Sequence, residues 1–401
     1  MARPTFSRWI SASNDITRQF LSLGVRPDFI SMAGGLPAAE LYPAAAISQA
    51  AESALARWGG KALEYGPVEG FQPLRQHIAE RVGRQTGCSL AGDNVLLTVG
   101  AMQGLDLLGK VLLDQGDLVV AQFPTYVGAL DAWRPRLPSY QPLDWAAEGA
   151  TTVDVLRRAK FVYTVPNYSN PTGALVPEAA RQALLEKAMA AGTWLVEDDP
   201  YRALQLDGAT GPGLLELHGR LEKGRPYRGP VVYLGTLSKS IAPGLRVGWT
   251  VAAPELIRAL VLAKQSSDLA SPMLTQAIAL ELLEADFELT HVPDIVRHYR
   301  QRRDALCAAA AAELGAWFEW ETPPGGMFVW MRRRDPAIDT DALYDFALAE
   351  KVAFVPGSVF DPAGRLRSAL RLNFTRSAPA VLEEGVARLA AATKSYLGSR
   401  P

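Results

Sequence analysis

VVYLGTLSKSIAPGLRVGWTVA, residues 231–252, sets two apolar runs on either side of a turn that carries hydroxyls, glycine and a single lysine. The runs VVYLGT (231–236) and VGWTVA (247–252) are continuously apolar rather than alternating, the pattern of strands covered on both faces. Four earlier runs have the same texture: NVLLTVG (94–100), DLVVAQF (117–123), KFVYTV (160–165) and TWLVED (193–198). Stretches of helical propensity lie between them, and one of these, PEAARQALLEKAMAAG (177–192), ends in the glycine that commonly stops a helix. The alternation predicts an α/β unit built on a mostly parallel sheet.

Outward from this unit the texture changes. After about residue 285 a long helical stretch (286–316) is expected, with a proline near its start. WFEWETPPGGMFVWM (317–331) reads as two strands around a Pro-Pro-Gly-Gly turn. KVAFVPG (351–357) and SALRLNF (368–374) read as further strands, and 379–397 as a closing helix. The N-terminal forty residues show no core pattern of their own and are expected to pack against this second, α+β layer. The expected division is an arm at 1–44, a large domain at 45–285 and a smaller domain at 286–401.

Composition narrows the function classes. Of 401 residues, 48% are hydrophobic and 21% charged, enough for a large buried core and little extended disorder. Lys plus Arg (41) nearly cancel Asp plus Glu (42), and no basic run is present, so nucleic acid is not an expected partner. Two cysteines, Cys88 and Cys307, cannot build a disulfide framework, and the scattered His77, His218, His291 and His298 do not suggest a metal site. The opening MARPTFSRWISASNDITRQF reads as neither signal peptide nor membrane span. A soluble chain in the reducing cytoplasm is the expectation.

In open α/β sheets, functional side chains gather beyond the carboxyl ends of the strands. Here those ends carry GAMQG (100–104), PNYSNPTG (166–173), DDPY (198–201) and TLSKSIAPGLRVG (236–248). Lys239 follows an apolar strand, where desolvation lowers an amine's pKa and leaves it nucleophilic. Arg246, seven residues on, with the hydroxyls of Thr236 and Ser238, describes a place for a phosphate beside that amine. Asp198, ending an apolar strand, needs a cationic partner. Taken singly, each has a plainer reading: an exposed loop lysine, a helix cap or salt bridge, an Asn-Pro turn.

Together and in this order, NPTG, DDPY, SKSIAPGLRVGW and RLNF resemble the fold-type I pyridoxal-phosphate enzymes of the class I/II aminotransferase family. Within it the chain is most similar to the branch of 2-aminoadipate and multi-substrate aminotransferases, from ITRQFL and SMAGGLP to RLNFTR. The resemblance implies a seven-stranded, mostly parallel sheet between helices, a smaller α+β domain, and pyridoxal 5′-phosphate as cofactor. It implies that Lys239 holds the cofactor covalently and acts as the catalytic base, with Asp198 on the ring nitrogen and Asn170 and Tyr201 on the ring's phenolic oxygen. Tyr126 matches the aromatic stacked on the ring. Thr236, Ser238, Arg246 and the amides of Ala101 and Met102 match the phosphate site, and a helix start suits an anion. Tyr65, in EYGPVEG, matches a tyrosine that reaches the phosphate from a neighbouring subunit of a homodimer. Arg371 matches the arginine that grips the substrate α-carboxylate, with Gly35 and Asn170 beside it, and Arg18 aligns with an arginine for a distal carboxylate.

One departure stands out. GAMQG lacks the hydroxyl that relatives carry near Ala101 or Met102, so more of the phosphate's hold would fall to Arg246, Thr236 and Tyr65. The implied reaction moves an amino group from an L-amino acid to a 2-oxo acid, with 2-oxoglutarate and glutamate as one pair, in ping-pong fashion. The same fold also serves lyases, decarboxylases and racemases, and more remotely regulators and non-catalytic binding proteins.

Overall fold

The computed structural model describes residues 5–11, 26, 28–146 and 149–399. Its centre is a seven-stranded sheet in the order Val95–Thr98, Gly248–Val251, Val231–Thr236, Trp194–Asp198, Ala159–Thr164, Leu118–Gln122, Ser139–Leu143. Every pairing is parallel except those of Gly248–Val251, which runs antiparallel to both neighbours. The continuous hydrophobicity of the runs has a direct cause: both faces are covered. Leu96, Val119, Phe161, Val196 and Val232 enter one core, while Val95, Val120, Val162, Leu195 and Val231 enter a second on the opposite face. Each such side chain, fully buried, contributes about 1.5–3 kcal/mol.

The edge strand Ser139–Leu143 was not legible in the sequence. SYQPL is half exposed and includes Pro142, which an edge position tolerates because one side of the strand has no ladder to serve.

The antiparallel strand is what assembles the site. Gly248 pairs with both Thr98 and Thr236, so the amino end of this strand lies at the sheet edge where its neighbours' carboxyl ends emerge. The turn 236–248 therefore closes on itself there, with Lys239 and Arg246 on one rim.

The second layer is a four-stranded antiparallel sheet, Val355–Pro356, Ala369–Asn373, Phe328–Arg333 and Phe318–Glu319, with helices Phe287–Glu313, Thr340–Ala349 and Pro379–Gly398. The expected strand at 351–357 is split. Val352–Ala353 pairs in parallel with Ile30–Ser31, whereas Val355–Pro356 joins Ala369–Asn373. The segment from Ile30 thus packs on this layer, and Met32 accepts from the Asn373 N–H at 2.7 Å. One apolar cluster runs from Val119 and Phe161 of the large sheet to Phe328 and Leu372 of the small one, so the two layers share a core. Among the described residues no helix is long and apolar enough to cross a membrane.

Candidate active site

A cavity of about 410 Å³ opens at the carboxyl edge of the large sheet, beneath Gly35 and Arg371 of the second layer. Its wall contains Lys239, Asp198, Tyr201, Asn170, Tyr126, Ala101, Met102, Thr236, Ser238, Arg246, Arg371 and Gly35. These twelve sequence candidates come from seven separate segments. Two candidates remain. Tyr65 is 89% exposed and lines a different depression with residues 270–274. Arg18 lies outside the described residues.

Lys239 projects from the turn after Val231–Thr236, and its Nζ donates to the Gly35 carbonyl at 3.0 Å. Burial, followed by the positive charges of Arg246 and Arg371, pushes its ammonium down to about 8. Near neutral pH a fraction of this amine is therefore unprotonated and able to act as a nucleophile or base.

The Glu197-Asp198-Asp199 run divides by strand alternation. Glu197 turns to the far face and accepts from the N–H groups of Leu214 and Leu215, each at 2.9 Å, at the start of helix Leu214–Leu221. Asp199 accepts from Asn167 at 2.8 Å and lies 3.8 Å from Arg202. Asp198 alone lines the cavity. Its Oδ2 accepts from the Tyr163 hydroxyl at 2.9 Å, while its buried Oδ1 has no hydrogen-bond donor among the described residues. Burial pushes this carboxyl up to about 7, although the Tyr163 hydrogen bond pulls the other way. A buried carboxylate oxygen without a donor is costly, and a ring N–H⁺ held in the cavity would satisfy it.

At the opposite end lies an anion corner. Helix Ala101–Leu112 begins here, and the first N–H groups of a helix have no intrahelical acceptor. The Thr236 hydroxyl donates to Val247 O at 3.0 Å and lies 2.9 Å from Ser238 Oγ. Arg246 sits in the left-handed region at φ 53° and donates to Val99 O at 3.0 Å and Pro243 O at 3.3 Å. Gly100 has φ 74°, and a Cβ there would lie 2.7 Å from Arg246 Nη2, so only glycine fits.

Arg371, 5% exposed, is the anchor of the substrate side. Its guanidinium carbon lies 4.2 Å from the ring centre of Phe328 and 5.0 Å from that of Phe360. Nη1 donates to Asn170 Oδ1 at 2.6 Å and Nη2 to Ala33 O at 2.5 Å, while the buried Nε has no acceptor among the described residues. Asn170 Nδ2 in turn donates to the Tyr201 hydroxyl at 3.4 Å. Desolvation lowers the Arg371 pKa to about 10, which leaves it charged at neutral pH. Tyr126, whose phenol burial pushes up to about 12, places its hydroxyl 3.6 Å from the Met102 sulfur.

Sequence reasoning missed Tyr163, Phe328 and Phe360. A tyrosine within an otherwise aliphatic covered strand carried a signal, since its buried hydroxyl needs a partner. The two phenylalanines carried none that distinguished them from ordinary core.

The sequence matches the family model of aminotransferase class I and II over residues 33–389. The chain belongs to this family. The 2-aminoadipate transaminase of Thermus thermophilus is 40% identical over 385 residues, covering 95% of this chain and 94% of that protein. Among solved structures, an α-aminoadipate aminotransferase from the same species, complexed with N-(5′-phosphopyridoxyl)-L-leucine, superposes with a TM-score of 0.86 at 38% identity over 98% of each chain. A multiple substrate aminotransferase from Thermococcus profundus gives 0.88 at 35% identity, again over 98% of each chain. This aminotransferase is a pyridoxal-phosphate enzyme. The cavity suits that group: the donor-starved Asp198 oxygen, the amine of Lys239 and the anion corner match a ring nitrogen, an aldehyde and a phosphate.

Proposed function

We propose that the enzyme moves the amino group of an L-amino acid to a 2-oxo acid in ping-pong order, with glutamate and 2-oxoglutarate as one pair and a 2-aminoadipate-like or broad range for the other. The observation that carries this reading is the cavity itself, in which Lys239, the unpartnered oxygen of Asp198 and Arg371 share one wall. The names of the relatives support the substrate range.

When bound, pyridoxal phosphate supplies an electron sink for the charge left as the substrate loses its α-proton. Lys239 would hold the cofactor covalently and give way to the substrate amine. Its freed amine would then be the base that takes the α-proton from the substrate and carries it within the cavity. Asp198 keeps the ring nitrogen protonated, and Asn170 and Tyr201 fix the phenolic oxygen. Tyr126 covers one ring face. Thr236, Ser238, Arg246 and the amides of Ala101 and Met102 hold the phosphate. Arg371 grips the α-carboxylate with two nitrogens, helped by Asn170 and the close backbone at Gly35. Arg18 remains the proposed contact for a distal carboxylate.

The proposed organisation is an arm at 1–44, a cofactor domain at 45–285 and a small domain at 286–401, in a homodimer whose neighbouring subunit supplies Tyr65. The exposure of Tyr65, away from its own chain's cavity, supports this. The cysteines are free thiols, which suits a cytoplasmic location.

The test is an absorption spectrum of the purified protein before and after glutamate, with no oxo-acid acceptor. Loss of a yellow band to the pyridoxamine form, restored by 2-oxoglutarate, is expected. A yellow band that glutamate leaves intact overturns the glutamate pairing; release of ammonia, carbon dioxide or the mirror-image amino acid overturns transamination.

A further inference from the structure

Behind the anion corner lies a polar network built around the buried Lys264. Gln103, in the first turn of helix Ala101–Leu112, accepts through Oε1 from the Val99 N–H at 2.9 Å and from Lys264 Nζ at 3.1 Å. Its Nε2 donates to Asp268 Oδ2 at 2.6 Å. Lys264, fully buried near the end of helix Pro254–Gln265, donates to both Asp268 oxygens at 2.7 Å. None of the three lines the cavity.

Val99 is the junction. Its N–H is held by Gln103, and its carbonyl accepts Arg246 Nη2 at 3.0 Å. One peptide segment thus ties the pair of buried Lys264 and partly exposed Asp268 to the guanidinium at the corner. A cap on the helix start alone would not need a buried lysine behind it. A buried ammonium is tolerated only with its acceptors fixed, so the pair in turn fixes Gln103. The corner has no loop hydroxyl in GAMQG to hold an anion by side chain. Its binding strength then depends on how well the backbone amides and Arg246 are placed beforehand.

We propose that Gln103, Lys264 and Asp268 are positioning residues that brace the turn 99–101 and Arg246, and so set the enzyme's preference for a phosphorylated cofactor. This rests on the reading that the phosphate occupies this corner.

The experiment titrates full-length protein, stripped of cofactor, with pyridoxal phosphate and separately with pyridoxal, which lacks the phosphate. Gln103→Leu is expected to weaken pyridoxal phosphate about 10-fold, the scale of one lost hydrogen bond, and pyridoxal less than about twofold. Asp268→Asn, at a partly exposed position, leaves Lys264 an amide oxygen to donate to and should lower the preference in the same direction. Equal weakening of both ligands, or no change in either, overturns the brace. Arg246→Met separates the two layers of the argument. If it too leaves the preference intact, the phosphate reading fails; if it abolishes the preference while Gln103→Leu and Asp268→Asn do not, only the brace fails.

Discussion

The hydroxyl of Tyr163 donates to Oδ2 of Asp198 across 2.9 Å, in the interior of the large sheet, and leaves Oδ1 of the same carboxylate without a donor among the described residues. The two residues stand on adjacent parallel strands, Ala159–Thr164 and Trp194–Asp198, so the contact is a product of register. The tyrosine ring is itself fixed, edge-on to Trp133 with ring centres 5.1 Å apart. One carboxylate oxygen is thus held by the protein, and the other is presented to the cavity.

Tyr163→Phe removes the hydrogen bond to that carboxylate at the cost of one oxygen atom. A hydrogen bond to a charged group is worth about 1.5–3 kcal/mol, so kcat is expected to fall about 10-fold or more, with the donor KM little changed. The Tyr163 contact lowers the Asp198 pKa, so its loss should also move the acid limb of the rate profile to higher pH. Steady-state kinetics across pH measures both; a KM effect alone would dismiss Tyr163 as a support of Asp198.

Protonation of Asp198 should be visible in the stability of the cofactor-free protein. Burial holds its carboxyl up at about 7, while in the unfolded chain a carboxyl of this type titrates near about 3.9. The folded state therefore keeps a proton that the unfolded state releases. This contribution is complete below about pH 4 and is lost as pH rises through about 7. Glu197, also raised by burial and by Asp199, acts in the same direction. Thermal melts should show Asp198→Asn losing less stability than wild type between pH 5 and 8, by at least about 2 °C. Parallel curves for the two proteins would count against the assignment.

Lys239→Ala should lower turnover by a factor on the order of 10³ or more, since the variant loses the base as well as the covalent hold. Cofactor should still bind through the anion corner and Asp198, which equilibrium dialysis can follow. Added methylamine restoring part of the rate would locate the loss in the amine. Near-normal turnover would remove Lys239 from the mechanism.

Arg371→Lys keeps the charge and discards the planar fork. The guanidinium between Phe328 and Phe360 uses Nη1 and Nη2 on Asn170 and Ala33, and a lysine cannot reproduce that geometry. The donor KM is expected to rise about 100-fold, with a smaller change in kcat, because a two-pronged carboxylate contact is lost in ground and transition states alike. Amino-acid saturation curves would show it. An unchanged KM would place the α-carboxylate elsewhere.

Much of this was legible in the residues. The run-and-turn stretch 231–252 implied strands covered on both faces, and the segments beyond the strand ends hold nine of the twelve candidates that line the cavity, Tyr126, Gly35 and Arg371 coming from the family resemblance. These features are local: a covered strand must be apolar throughout, and a strand-end turn carries its functional residues in consecutive positions. The edge strand Ser139–Leu143 was illegible for the converse reason, since an edge needs no apolar run.

What the sequence by itself determined is the class of fold, the family and the residues of the reactive turn, because apolar continuity and motif order are written along one dimension. Tertiary structure alone decided that Tyr163 supports Asp198, that Phe328 and Phe360 flank Arg371, and that Lys264 reaches the anion corner through Gln103. Each of those relations joins segments far apart in the chain. Their existence depends on strand register and on the packing of one layer against the other, and neither leaves a mark in the spacing of residues.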